Sequence, residues 1–149
     1  MSGLRFDRHG AIARLTLDRP SIGNTIDLPL AQDLLATAIE CDEDDGIRCV
    51  ILSGTGRYFC LGGDVSTFAE ADERLPQLLK QITAALHMAV TRLAHMNKPL
   101  ITAINGTAAG AGLSLAVLGD LAIAAASRSS HGREGLTAFV QKRPANFSC

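Results

Sequence analysis

Tryptophan is missing and aromatic residues make up only 4% of the 149-residue chain, so a base-stacking platform for nucleic acid has little to build on. No sign of charge dominates. Fourteen Lys and Arg face 15 Asp and Glu, a formal net charge of −1, and no global field recruits nucleic acid or a membrane surface. The cysteines, Cys41, Cys49, Cys60 and Cys149, include no C-x-x-C pair. No disulfide framework is indicated, and reduced thiols are expected. Nothing in the spacing marks Cys60 as a reactive thiolate. The Met1–Gly10 start carries Arg5, Asp7 and Arg8 and lacks an apolar signal-peptide core, which makes the cytoplasm the expected compartment. What is there suits a soluble globular domain with one real core: 47% hydrophobic and 19% charged residues.

Charge is also scarce in one long stretch. Leu100–Ser127 holds a single charged residue, Asp120, and its first part has the hydropathy of a membrane span. Asn105-Gly106 and the run Gly110–Gly112 interrupt it. That argues for strand Leu100–Ile104, a glycine turn, a short buried helix Ala111–Leu118 and strand Leu121–Ala125. Upstream, Leu4–Arg8 and Ala11–Leu17 read as a hairpin around His9-Gly10. Asp18-Arg-Pro20 ends the second strand and Ser21–Asn24 is a loop. Asp27 is placed to cap a helix with Pro29 in its first turn. Leu30, Leu34, Leu35, Ala38 and Ile39 form that helix's buried stripe, and it ends near Cys41. Ile47–Ser53 reads as a strand, buried over Cys49–Leu52. Residues 65–75 show no period and are expected to be irregular and mobile. Leu79, Ile82, Leu86, Val90 and Leu93 mark an amphipathic helix over Pro76–His95, with His87 and His95 as surface or partly buried side chains. The alternation of strand and helix predicts an α/β domain.

Several motifs fall short. The acidic run Glu40, Asp42, Glu43, Asp44 and Asp45 lacks EF-hand spacing: Gly46 falls one place early and Ser53 sits where the closing glutamate belongs. A solvated loop is expected there. Gly54-x-Gly56 and Gly110-x-Gly112 do not complete G-x-G-x-x-G, because Phe59 and Leu115 take the third place. Gly112-Leu-Ser-Leu-Ala116 approaches a nucleophile elbow, but alanine replaces the closing glycine and no His–Asp pair accompanies it.

Two glycine turns remain. Gly54-Thr-Gly-Arg-Tyr-Phe-Cys-Leu-Gly-Gly-Asp64 follows an apolar strand, and a second small-residue turn spans Gly106–Gly112. Paired glycines let a backbone approach a ligand closely. A free N–H at each turn has the chemistry to stabilise an oxyanion.

In order and combination, these turns resemble the crotonase family, the enoyl-CoA hydratase/isomerase superfamily. The resemblance rests on Leu15-Thr-Leu-Asp-Arg-Pro20 with Asn24, on Val50–Asp64, and on Lys98–Gly106 running into Ala109–Gly112. It covers about residues 4–127. Glu134–Arg143 with Phe147 is similar to the family's C-terminal helix.

The resemblance implies an α/β fold, the crotonase/ClpP-like ββα superhelix, incomplete at its C-terminal side. A core over residues 1–127 would be followed by a tail, 128–149, with about a hundred family residues missing between them. It implies an acyl-CoA thioester as substrate, with coenzyme A part of that substrate and no separate cofactor or metal. Residue-by-residue matching assigns the oxyanion donors to Gly63 and Ala111. Ser21, Ile22, Gly23, Leu61, Asp64, Val65, Gly110 and Ser114 would flank the substrate path beside Gly63, and Phe139 and Lys142 would meet the adenine and phosphate. Family hydratases carry a glutamate where this chain has Ser114, and a second carboxylate would lie in the missing stretch. A serine is no acid or base near neutral pH. Asp64 and Asp120 match positions that shape a loop or turn. Two functions are therefore expected to compete: an acyl-CoA hydratase or isomerase, and a non-catalytic thioester binder or assembly-defective fragment. Family members are trimers or hexamers, so a homo-oligomer is expected, with neither nucleic acid nor membrane as partner.

Overall fold

The computed structural model describes residues 3–124. Strands β1 (Leu4–His9) and β2 (Ile12–Leu17) form an antiparallel hairpin whose turn places Gly10 at φ +62°. Strands β3 (Cys49–Gly54), β5 (Leu100–Ile104) and β7 (Leu121–Ala124) add in parallel, giving the order β1-β2-β3-β5-β7. Among the described residues a second sheet has two parallel strands, β4 (Tyr58–Cys60) and β6 (Thr107–Ala108). The helices are α1 (Leu28–Glu43), α2 (Val65–Ala71), α3 (Leu75–His95) and α4 (Ala111–Ala116).

One face of the large sheet makes the core. Ala13, Leu15 and Leu17 lie in register with Val50, Leu52 and Gly54, and these with Leu100 and Thr102. They join Leu30, Leu34 and Ala38 of α1 and Ile82, Leu86, Ala89 and Leu93 of α3 in one buried cluster. Each fully buried leucine contributes about 1.5–3 kcal/mol relative to exposure. The opposite face is apolar and partly open, with Ile12 41%, Leu121 53% and Ile123 54% exposed.

Helix α1 starts where capping chemistry predicts. Asp27 is extended and its carboxylate accepts from the Leu30 N–H at 2.9 Å. The helix runs past Cys41 to Glu43, because the Lys98 ammonium donates to the Cys41, Asp42 and Asp44 carbonyls at its end. Ile39 is 42% exposed, while Ala31 and Cys41 complete the buried stripe. On α3 the buried line is Ile82, Leu86, Ala89 and Leu93, and Leu79 is 37% exposed. His87 and His95 lie on its exposed side.

Residues 65–75 correct the sequence reading. They are helix α2, a 3-10 turn at Asp72–Arg74 and the first residue of α3. Asp64 caps α2 by accepting from the Ser66 and Thr67 N–H groups, an advantage that apolar periodicity does not reveal. Pro20–Ile22 forms a 3-10 turn rather than an open loop. Helix α4 stops at Ala116, and strand β7 is described over Leu121–Ala124. No described helix is long and apolar enough to cross a membrane.

Candidate functional site

Strand β4 carries one glycine turn and β6 the other, so their pairing brings the turns side by side. Cys60 opposes Ala108, and the Cys60 carbonyl accepts from the Ala109 N–H at 3.0 Å. The chain leaves β4 through Leu61-Gly62-Gly63 and leaves β6 through Ala109-Gly110-Ala111. Gly62 at φ +97° and Gly110 at φ +53° take conformations that disfavour a side chain. A Cβ on Gly62 would lie 3.0 Å from the Ala109 oxygen and 3.4 Å from the Ala111 nitrogen. One on Gly112 would overlap the Cys60 carbonyl. Close approach of two backbones is what these glycines permit.

The segment before α1 fixes the peptide planes. The Ile26 N–H donates to the Gly62 oxygen at 2.7 Å, and the Asp64 N–H donates to the Ile26 oxygen at 3.0 Å. In such a parallel bridge the Gly63 N–H points away from Ile26. Ala111 opens α4, so its N–H has no intrahelical acceptor. Among the described residues no hydrogen-bond partner accepts from either group.

The expected path residues divide into a contact group and an exposed group. Gly23, at φ +73°, accepts from the Leu61 N–H at 3.0 Å, and a Cβ there would press on the Leu61 side chain. Ser21, Ile22 and Gly110 are exposed, as are Leu61 and Val65. Ser114 is exposed on α4, one turn after Ala111. Phe139, Lys142 and the whole tail 128–149 lie outside the described residues.

Neither aspartate has the surroundings of a general base. Asp64 is 6% exposed and accepts from the Ser66 hydroxyl at 2.5 Å as well as capping α2. The Ser66 hydroxyl holds its carboxyl below the usual range, burial opposes this, and the Thr67 and Ser66 N–H groups add to the lowering. Asp120 accepts from the Leu100 N–H at 2.8 Å and ties β7 to β5. Burial pushes the Cys60 thiol up, with the Gly62 N–H pulling the other way. The Cys41 thiol is pushed up to about 11, chiefly by burial. Both are protonated at neutral pH and poor nucleophiles.

Sequence reasoning missed the ties that hold the site. Arg19 pairs with Asp27 at 2.7 Å and lies 3.8 Å from Asp64, linking the caps of α1 and α2. Asn24 and Asn105 bind carbonyls of the Gly54–Phe59 loop. The Asn105-Gly106 dipeptide signalled a turn, but nothing local signalled partners so distant in sequence.

Comparisons with known proteins converge on one family. The enoyl-CoA hydratase/isomerase family model matches residues 7–131. The chain is 38% identical over 117 residues to the 1,2-epoxyphenylacetyl-CoA isomerase of Escherichia coli K12, covering 78% of this chain and 45% of that protein. It is 36% identical over 124 residues to the 2,3-dehydroadipyl-CoA hydratase of the same organism, covering 83% and 47%. A solved enoyl-CoA hydratase/isomerase from Mycobacterium paratuberculosis superposes with a TM-score of 0.76 at 27% identity, covering 83% of this chain and 49% of that one. The chain thus spans about half the length of the curated relatives it matches.

Proposed function

Because the chain belongs to the enoyl-CoA hydratase/isomerase family, we propose that it binds acyl-CoA thioesters and holds the thioester carbonyl oxygen between the Gly63 and Ala111 N–H groups. The observation that carries this reading is the pairing of β4 with β6, which sets two glycine turns in contact with an unclaimed N–H on each. Charge that develops on the thioester oxygen as an enolate forms is met by donors already in place. Each such donor contributes about 3–4 kcal/mol in a water-poor site. Gly23 and Leu61 would wall the path of the coenzyme A portion, with Ser21, Ile22 and Val65 on its open side. Coenzyme A enters as part of the substrate.

Proton transfer needs a group beyond the two donors. Asp64 is committed to capping α2 and Ser114 has no suitable pKa. Binding and carbonyl polarisation are therefore separable from turnover. The test adds a 2-enoyl-CoA and follows its conjugated absorbance, together with thioester affinity. Ala111→Pro removes one N–H at a first helical position, where proline is tolerated. Gly63→Pro removes the other, and Gly63→Ala is its control, since any Cβ there meets the Phe68 ring. We expect carbonyl polarisation to fall about a hundredfold in Ala111→Pro relative to the wild type and in Gly63→Pro relative to Gly63→Ala. Variants that polarise and turn over thioester as well as the wild type would reject the donor assignment.

The same reading takes the protein as cytoplasmic and as a homo-oligomer, and the open sheet face supports the second point.

A further inference from the structure

We propose that Asn24 and Asn105 are positioning residues that together set the spacing of the two N–H donors. The chemistry of this inference rests on the acyl-CoA reading, whereas its geometry stands on hydrogen bonds alone. The segments carrying Gly63 and Ala111 are distant in sequence, and they meet at one carbonyl. The Tyr58 oxygen, at the start of β4, accepts from Asn24 Nδ2 at 2.8 Å and from Asn105 Nδ2 at 3.2 Å.

Asn24 is fully buried and sits at φ +55°, a region where asparagine is among the few side chains that settle. Its amide nitrogen also lies 3.0 Å from the Thr55 oxygen and 3.1 Å from the Phe59 oxygen, and its Oδ1 accepts from the Arg19 N–H at 2.8 Å. Both ends of the amide are used, as a buried polar group requires. Two residues on, Ile26 fixes the Gly62 oxygen and the Asp64 N–H. The grip of Asn24 on the Tyr58 carbonyl therefore places the Gly62–Gly63 peptide.

Asn105 does the same for the other turn. Its Oδ1 accepts from the Gly54 N–H at 3.1 Å, and its Nδ2 donates to the Gly56 oxygen at 3.1 Å. The next residue, Gly106, sits so close to the Arg57 carbonyl that no Cβ would fit. The chain then enters β6, pairs with β4 and reaches Ala111. Any displacement of the Tyr58 carbonyl moves both donors.

Asn105→Asp keeps the acceptor for Gly54 and turns a carboxylate oxygen toward the Gly56 and Tyr58 carbonyls. Asn24→Asp does so beside Thr55, Tyr58 and Phe59, and aspartate tolerates a positive φ. Both full-length variants are compared with the wild type and with Leu93→Ala, a core change in α3 that lowers stability by another route. One readout is the amide chemical shifts and hydrogen exchange of Gly62, Gly63 and Ala111 without ligand. The other is the fraction of bound acetoacetyl-CoA present as its ultraviolet-absorbing enolate, with the affinity for free coenzyme A as control. Each Asp variant should move amides in both turns, cut the enolate fraction about tenfold and leave coenzyme A affinity within about twofold. Leu93→Ala should do none of these. Folded Asp variants whose shifts stay in the mutated segment, or that keep the wild-type enolate fraction, overturn the inference. A wild type that forms no enolate counts against the acyl-CoA reading, and the amide shifts then decide this one. If an Asp variant does not fold, Asn105→Ala removes the donor without adding charge and is judged by the same readouts.

Discussion

At the residue scale, Asp64 shows how a carboxylate beside a site can serve its architecture instead of its proton transfers. Its Oδ1 accepts from the Ser66 hydroxyl and from the first turn of α2, and its Oδ2 faces the Arg19 guanidinium at 3.8 Å. A carboxyl whose folded pKa is depressed contributes stability that is present above its unfolded value, near 4, and lost as pH falls through the folded value. Ser66→Ala removes the largest cause of the depression. The expected outcome is an acid-unfolding midpoint shifted to higher pH, with a loss at neutral pH of about 1 kcal/mol. Circular dichroism across an acid titration checks it. An unchanged midpoint would mean that the Ser66 bond is not made in solution. The same reasoning explains what the sequence left hidden here. Asp64 was legible as a turn residue after two glycines and its cap on α2 is local, but its proximity to Arg19 depends on where the chain returns.

Among the elements, legibility followed periodicity. Helices α1 and α3 and strands β2, β3 and β5 carry apolar patterns of the right period, and the structure has them within a few residues of the expected limits. The errors fall at the margins of the stripes, where Ile39 and Leu79 are apolar yet partly open to solvent. Strands β4 and β6, three and two residues long, are too short to show any alternation. Yet their pairing places the site. The two turns could be recognised from the sequence, whereas their contact could not, because it is made by that pairing and by asparagines reaching across the chain. Lys98 belongs to the same class of distant effect. Its ammonium closes α1 on three carbonyls, at 2.5 Å, 2.8 Å and 2.8 Å. Charge-assisted bonds of this kind contribute more than neutral ones. Lys98→Met should therefore lower stability by about 1–3 kcal/mol, read as a reduced Tm, with faster amide exchange in the last turn of α1. Equal Tm values would show the ammonium to be solvated instead.

For the whole molecule, the two faces of the large sheet set its behaviour. Parallel sheets normally have both faces covered. Here, among the described residues, one is packed by helices, and the other presents Ile12 on β2 and Leu121 and Ile123 on β7, the last strand of the order. An apolar strand edge invites pairing with another copy, and a charge on the edge discourages it. Sedimentation over a dilution series should show concentration-dependent association, weakened by Ile123→Lys. A monomer at every concentration would overturn that expectation. The strand order carries a separate consequence, in time instead of space. Each strand of the large sheet is laid beside the one synthesised before it, so β1, β2 and β3 with α1 can organise while later segments are still emerging. The small sheet forms later, because β4 must wait for β6, just as β3 waits for β5, beyond the whole of α3. Closing a loop of that length costs entropy before any contact repays it. The glycine turns therefore meet late in folding, and a nascent chain would acquire most of its core before its site.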